Sequence, residues 1–286
     1  MLSGSPSGID SLYRDRPMTH GYPNLGDLSP KKKNTLSRDS EQQKLNVTKL
    51  SNYIGRMIGN NGERRILVLG CGPAPYLAKA FADLQYKVVA VDPVANFVQS
   101  AQQYLNENAT VIQGAAERIP LPNESQDVVL FPAVLEHVDS VPNSLSEIFR
   151  VLAPGGVLYL TTTNRYRFSW SGNNGEYRVP FYNWFPRIVK EGYVHSHLHY
   201  RPELANFSVR PAVHWFSYAD LCTLGRNAGF SRFYSHIDLM SLDDSWIRAS
   251  ALRRMMLRKV QRNPWLRAIA LSQVGGTIFM HKRADQ

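Results

Sequence analysis

The chain has 286 residues, enough for one α/β domain with extensions and a core that needs no disulfide staples. Its two cysteines, Cys71 and Cys222, exclude a disulfide scaffold and a cysteine-based zinc cluster, and fit a reducing cytosol. A total of 33 Lys and Arg against 23 Asp and Glu leaves a net charge of +10, which favours anionic company. The sequence offers neither a long apolar membrane span nor a leading apolar signal, so a cytoplasmic protein is expected, with any membrane contact peripheral.

Residues 1–42 are rich in Ser, Pro, Gly, Asn and Lys, include Lys31-Lys32-Lys33, and read as a leader expected to be mobile when isolated. From 43 to 58, Leu45, Val47, Leu50, Tyr53, Ile54 and Met57 recur at helical spacing, which predicts an amphipathic helix laid over a sheet. Asn60-Asn61-Gly62 stops it. An apolar run from Ile66 to Leu69 then opens into Gly70-Cys71-Gly72-Pro73-Ala74, and a second run from Val88 to Val91 ends in Asp92, about 20 residues after the turn. This is the grammar of a nucleotide-binding βαβ unit. Glycine lets the backbone approach a ligand, and a carboxylate at a strand end can accept from both ribose hydroxyls. Pro73 and the missing third glycine exclude a dinucleotide fingerprint, and the absence of Gly-Lys-Ser/Thr excludes a P-loop.

Further blocks follow in order: Gln113 to Pro122, Asp127 to Phe131, Val134 to Val138, and Leu145 to Thr163 with Ala153-Pro154-Gly155-Gly156 as a turn before a strand. With the glycine turn they resemble the class I S-adenosylmethionine-dependent methyltransferases, in particular the type 11 group that includes quinone-biosynthesis and sugar-modifying O-methyltransferases. The resemblance implies an α/β fold with a doubly wound, mostly parallel, seven-stranded sheet of the Rossmann-like kind, and S-adenosyl-L-methionine as cofactor. It also implies that Gly70, Cys71 and Gly72 border the methionine part, Asp92 the ribose, and Ala115, Ala116 and Glu117 the adenine, with Phe131 near the sulfonium. Two positions depart from the family pattern: Val68 replaces an acid that helps hold the methionine amino group, and Ala115 replaces one that accepts from the adenine amino group. Glu117 is the candidate substitute for the latter.

Residues 43–163 thus form a cofactor core with an N-terminal helix, and 164–214 an aromatic-rich insertion after strand five, read as a substrate-binding lid. A surface insertion with its own satellite core is the plainer alternative. Residues 215–286 return to the core. Ser217 is placed to cap a helix that ends at Gly229, Arg232 to Leu239 reads as strand six, and Gly276 to His281 as strand seven. Between those strands Arg248, Arg253, Arg254, Arg258, Lys259, Arg262 and Arg267 crowd a basic helix. Its 246–267 stretch fits a solvated face, or contact with an anionic membrane surface, a phosphorylated substrate or nucleic acid. No RNA-binding module is recognised, so nucleic acid is not the expected partner.

Methyl transfer is an in-line displacement that depends on positioning and desolvation, and it needs a base only when the nucleophile must lose a proton. His137 is the first candidate base, with His199 and His214 as substitutes, and each has a plain packing alternative. Asn164, Arg165, Tyr166 and His195 are expected to face a small-molecule acceptor. No metal is expected, because Ala133 stands where some quinone-type relatives place the first acid of a metal cluster. The expected reaction is O-methylation of a small, sugar-linked or lipid-linked acceptor. The alternatives are an RNA or protein methyltransferase, or a scaffold that kept the fold without the chemistry.

Overall fold

The computed structural model describes residues 41–59, 64–73, 75–105, 109–167, 181–186, 188–190, 212–273 and 276–284. Most of the leader and of the 164–214 insertion, including His195 and His199, lies outside them. Seven strands form one sheet: β1 Arg65–Leu69, β2 Lys87–Asp92, β3 Thr110–Gln113, β4 Gln126–Pro132, β5 Leu152–Thr162, β6 Arg232–Ser235 and β7 Gly276–His281, in the order β3-β2-β1-β4-β5-β7-β6. The first five run parallel, and β7 lies antiparallel between β5 and β6. The expected doubly wound sheet is therefore present, with its order reversing between β1 and β4, where such folds bind ligands.

The central strands are apolar on both sides because both faces are covered. On one face, Leu67, Leu69, Val129 and Phe131 pack with α4 (Val141–Val151) and α5 (Tyr218–Asn227). On the other, Ile66, Val68, Val128 and Leu130 meet α1 (Glu41–Ile58) and α2 (Tyr76–Asp83). Val47, Leu50 and Ile54 of α1 are buried, one helical stripe as predicted. α3 (Ala95–Leu105) connects β2 to β3. Ser217 caps α5 through a reciprocal pair: its hydroxyl accepts from the Asp220 N–H at 3.1 Å, and the Asp220 carboxylate accepts from the Ser217 N–H at 2.8 Å.

Four local expectations change. The 153–156 turn is absorbed into β5, where the ladder slips from Gln126–Leu152 to Val128–Val157. Val134 to Val138, which the resemblance places at the start of the helix after strand four, does not begin it: Leu135–His137 is one 3-10 turn, Val138 is extended (φ −70°, ψ 155°), and α4 starts afresh at Val141. Strand six stops at Ser235 because Asp238 accepts from the Ser235 N–H and hydroxyl at 2.7 and 2.8 Å, which nucleates α6 (His236–Leu239). After α7 (Ser245–Arg248), the basic helix is two helices, α8 (Ala251–Arg262) and α9 (Pro264–Gln273). The Asn263 side chain caps the second by accepting from the N–H groups of Trp265 and Leu266 at 2.9 and 3.1 Å.

The two glycines of the first turn are needed for different reasons. Gly70 has φ +71°, and a Cβ there would collide with the Val134 side chain, whereas at Gly72, φ +66°, a Cβ would meet nothing within 4 Å. Gly70→Ala should therefore destabilise the protein by about 3 kcal/mol, the left-handed cost plus overpacking, and Gly72→Ala by about 1 kcal/mol. Urea unfolding of both variants checks this, and equal losses would contradict it.

Candidate active site

At the carboxyl edge of the sheet, β1 and β2 are tied together through Asp92. The N–H groups of Gly70 and Cys71 both donate to the Val91 carbonyl, at 2.8 and 3.1 Å. The buried Asp92 carboxylate accepts from the Gly72 N–H at 2.8 Å and from the Val94 N–H at 3.0 Å, using one oxygen for each. Burial raises its pKa, and the same two N–H bonds oppose the rise. Each oxygen keeps a second acceptor position, so the group can also accept from a pair of vicinal hydroxyls. The open space over Gly72 admits a ligand where any side chain would intrude. These features fit the ribose and methionine parts of S-adenosylmethionine. The Cys71 thiol is raised well above its ordinary pKa, first by burial and then by Asp92, so it stays protonated and lines the turn without acting as a nucleophile.

The loop after β3 is a tight turn in which the Arg118 N–H donates to the Ala115 carbonyl at 3.1 Å. Gly114 is packing-determined, since a Cβ there would press into Pro120 at 2.6 Å. Ala115 is half-buried, whereas Ala116 is buried and packs into the core. Glu117 is engaged elsewhere than expected: its Oε1 accepts from the N–H groups of Asp139 and Ser140 at 2.7 and 3.3 Å, bracing the loop against the start of α4. Val68 is buried in the opposite core, so no polar group replaces the missing acid at that position.

Several nominated residues do other work. Phe131 is fully buried with Leu67, Leu69 and Leu135, because strand alternation turns it into the core and away from a ligand at the sheet edge. Asn164 is buried: its amide donates to the Leu271 carbonyl at 2.8 Å, fastening the end of α9 to the end of β5. Arg165 donates to the Trp215 carbonyl at 2.9 Å and lies 3.5 Å from Asp220, so its guanidinium anchors the chain. Tyr166 is exposed. His214 is buried with Nε2 2.9 Å from the Val138 carbonyl, which makes it a fastener of the 212–214 segment and not an accessible base. His137 is half-buried in the 3-10 turn after β4. The described part of the insertion packs on the segment that follows it, with the Tyr182 ring 5.8 Å from Trp215 and the Lys190 ammonium 4.4 Å above the same indole. Among the described residues no three His, Cys, Asp or Glu converge to hold a metal ion.

The sequence did not single out a cleft of about 370 Å³ between α1, the start of α2 and the carboxyl ends of β4 and β5. Asn46, Lys49, Tyr53, Tyr76, Pro132, Tyr159, Thr161 and His236 are among its lining residues. Tyr159 is pushed up to about 12 by burial and by its neighbour Tyr76, which burial also raises, so both hydroxyls remain donors at neutral pH. His236 is the opposite case. Burial lowers its pKa against the pull of Asp238, and its buried Nδ1 has no hydrogen-bond partner among the described residues.

A glycine turn tied to a strand-end acid, at the switch point of a doubly wound sheet, is a candidate site for a nucleotide-type ligand, and an aromatic cleft opens beside it. Comparison with known proteins gives the class. Residues 67–160 match a family model described as a methyltransferase domain. A protein of Mycolicibacterium smegmatis named as a probable S-adenosylmethionine-dependent methyltransferase is 36% identical over 107 residues, 37% of this chain and 40% of that one. A ubiquinone biosynthesis O-methyltransferase of Bradyrhizobium sp. (strain ORS 278) is 34% identical over 131 residues, 44% of this chain and 50% of its own. The chain thus matches about half or less of the length of these relatives. In fold it is similar to an N-methyltransferase of Haemonchus contortus solved with phosphomonomethylethanolamine and S-adenosylhomocysteine, with TM-score 0.51 and 15% identity over 86% of this chain and 53% of that one. Residues 67–160 thus carry a methyltransferase domain similar to those of S-adenosylmethionine-dependent methyltransferases.

Glu136, next to His137, is fully buried and receives the Thr162 hydroxyl at 2.7 Å, while burial pushes its pKa up to about 7. Between its ordinary 4.5 and about 7, rising pH ionises this carboxyl in the unfolded chain while the folded one keeps its proton. Its contribution to stability therefore falls across that window, by on the order of 3 kcal/mol, and levels off above it. Glu136→Gln retains an acceptor for Thr162 and removes the titration. Its stability advantage over the parent should grow between pH about 5 and about 8 in denaturant titrations. A constant difference would contradict the burial argument.

Proposed function

We propose that the domain transfers a methyl group from S-adenosylmethionine to an oxygen of a small acceptor, sugar-linked or lipid-linked, seated in the cleft of Tyr76, Tyr159 and His236. The observation that carries this reading is the juxtaposition of turn and cleft: α2 begins four residues after Gly72 and supplies the Tyr76 and Leu77 walls. The matched O-methyltransferase supports oxygen as the receiving atom.

The bound cofactor supplies a methyl group on a positively charged sulfur. Asp92 and the Gly70–Gly72 turn hold and orient it. The tyrosine rings and Leu77 keep water from the cleft, and the protonated Tyr76 and Tyr159 hydroxyls donate to oxygen atoms of the acceptor. His236, held uncharged by burial, receives the proton that the acceptor hydroxyl must lose. His137 is the competing base.

Two measurements test this. In calorimetric titration with S-adenosylmethionine, Asp92→Ala should weaken binding by roughly 1.5 to 3 kcal/mol while the sheet stays folded. A parent protein that fails to bind the cofactor would remove the reading altogether. In an assay of S-adenosylhomocysteine release across phenols and lipid-linked hydroxyl compounds, His236→Ala should lower kcat by roughly 10² to 10⁴ while keeping cofactor affinity. The acid limb of the parent profile should lie below the ordinary histidine value of 6.5. If His137→Ala loses rate and His236→Ala does not, the base moves to the turn after β4.

A further inference from the structure

The helical hairpin of α8 and α9 leaves one face uncovered. Leu257 points inward, packing with Ile237 and Ile247, and Val260, Ala270 and Leu271 pack around them. On the far side of α8, Leu252, Met255, Met256 and Lys259 follow helical spacing, and Leu252 is 63% exposed. Trp265, at the corner between the helices, is 80% exposed, and Leu266 and Ile269 continue the apolar surface along α9. Large exposed apolar side chains gathered on one element mark an interaction surface.

The charge on this surface says what it meets. From Ser245 to Gln273 the chain contains seven basic residues and no acid. Arg267 is paired with Asp238 at 2.6 Å, and Arg253 stacks over Trp246 at 5.3 Å. Arg248, Arg254, Arg258, Lys259 and Arg262 make no ion pair among the described residues. At the corner, Arg258, Lys259 and Arg262 surround a surface hollow of about 620 Å³ whose other walls include Trp265 and Leu266. Cationic ends around a hollow floored by an indole and a leucine match a phosphate headgroup sitting above acyl chains. A nucleic-acid surface would use the cations but gives no place to a run of Leu, Met and Ile.

We infer that the α8–α9 hairpin docks the protein on an anionic phospholipid surface, with Leu252, Met255, Met256, Trp265 and Ile269 entering the interface and Arg258, Lys259 and Arg262 holding headgroup phosphates. The docking element is joined to the cleft by α6. Ile237 packs in the hairpin core while the adjacent His236 lines the cleft, and the Gln261 amide of α8 donates to the Ile237 carbonyl at 2.9 Å. The surface is thereby set one short helix away from the place where an acceptor is proposed to bind.

The test is sedimentation of the full chain with phosphatidylcholine vesicles, with and without phosphatidylglycerol. Binding should require the anionic lipid and fade as salt rises. Arg258→Gln combined with Lys259→Gln should weaken it about 30-fold at low salt, with cofactor affinity unchanged. Brominated lipid should quench the tryptophan emission of the parent more than that of Trp265→Phe, since only an inserted indole approaches the acyl chains. Absence of binding at low salt, equal binding to neutral vesicles, or an unchanged double variant would overturn the inference. So would a single-stranded RNA that displaces the vesicles and still binds Trp265→Ala, which would assign the surface to nucleic acid. Neither arm depends on turnover, so failure here leaves the methyl-transfer reading intact.

Discussion

The arrangement of the site depends on one buried carboxylate. Asp92 closes β2, and its two oxygens reach backward to the Gly72 N–H and forward to the Val94 N–H, so one group sets both the glycine turn and the entry to α3. A carboxylate taken out of water is costly, as its raised pKa reflects, and backbone N–H groups compensate it without adding a counter-charge. That choice sets no cation against the carboxylate among the described residues. It also leaves the carboxylate with acceptor capacity for a neutral, hydroxyl-bearing ligand.

Around this anchor, polar groups at the strand ends are mostly spent on fastening. Thr162 donates to Glu136, Thr163 to the His214 carbonyl at 2.9 Å, and Asn164 to the end of α9. Three successive residues leaving β5 therefore grip three separate segments. Buried polar groups need such partners, and every bond that satisfies one also fixes where the following chain departs. The chain leaving β5 is thus held from beneath by hydrogen bonds and not by apolar packing alone. Glu136 shows the cost: it is buried, receives a hydroxyl, and keeps its proton up to about pH 7.

The sheet was legible from sequence because its signals are local. Ile66 to Leu69 is apolar on both faces, Gly70 needs a left-handed backbone, and Ser217 to Asp220 carries its cap within four residues. The site was less legible because its assignments depend on distant partners. Asn164 reads as an acceptor contact until its amide meets Leu271, which lies 107 residues away. Arg165 likewise reads as an acceptor contact until the Trp215 carbonyl and Asp220 engage its guanidinium. His236 was hidden inside an expected strand, since the Arg232 to Leu239 stretch carries β-forming residues and only the short bond between Ser235 and Asp238 turns it into a helix. The one local clue was the Ser-x-x-Asp spacing, which also stands at the start of α5.

That short helix connects the two surfaces with proposed roles. α6 spans only His236–Leu239, too few residues to be stable alone, so its position is imposed by its contacts. Arg56 of α1 donates to the Leu239 carbonyl at 2.7 Å, Gln261 of α8 to the Ile237 carbonyl, and Arg267 of α9 pairs with Asp238. α1 walls the cleft and α8 and α9 form the basic hairpin, so the element that presents His236 is held between cleft wall and hairpin by three cationic or amide side chains. A displacement of the hairpin on docking would therefore be carried to His236 through its bonds to the adjacent Ile237 and Asp238, with no need for a longer path through the core.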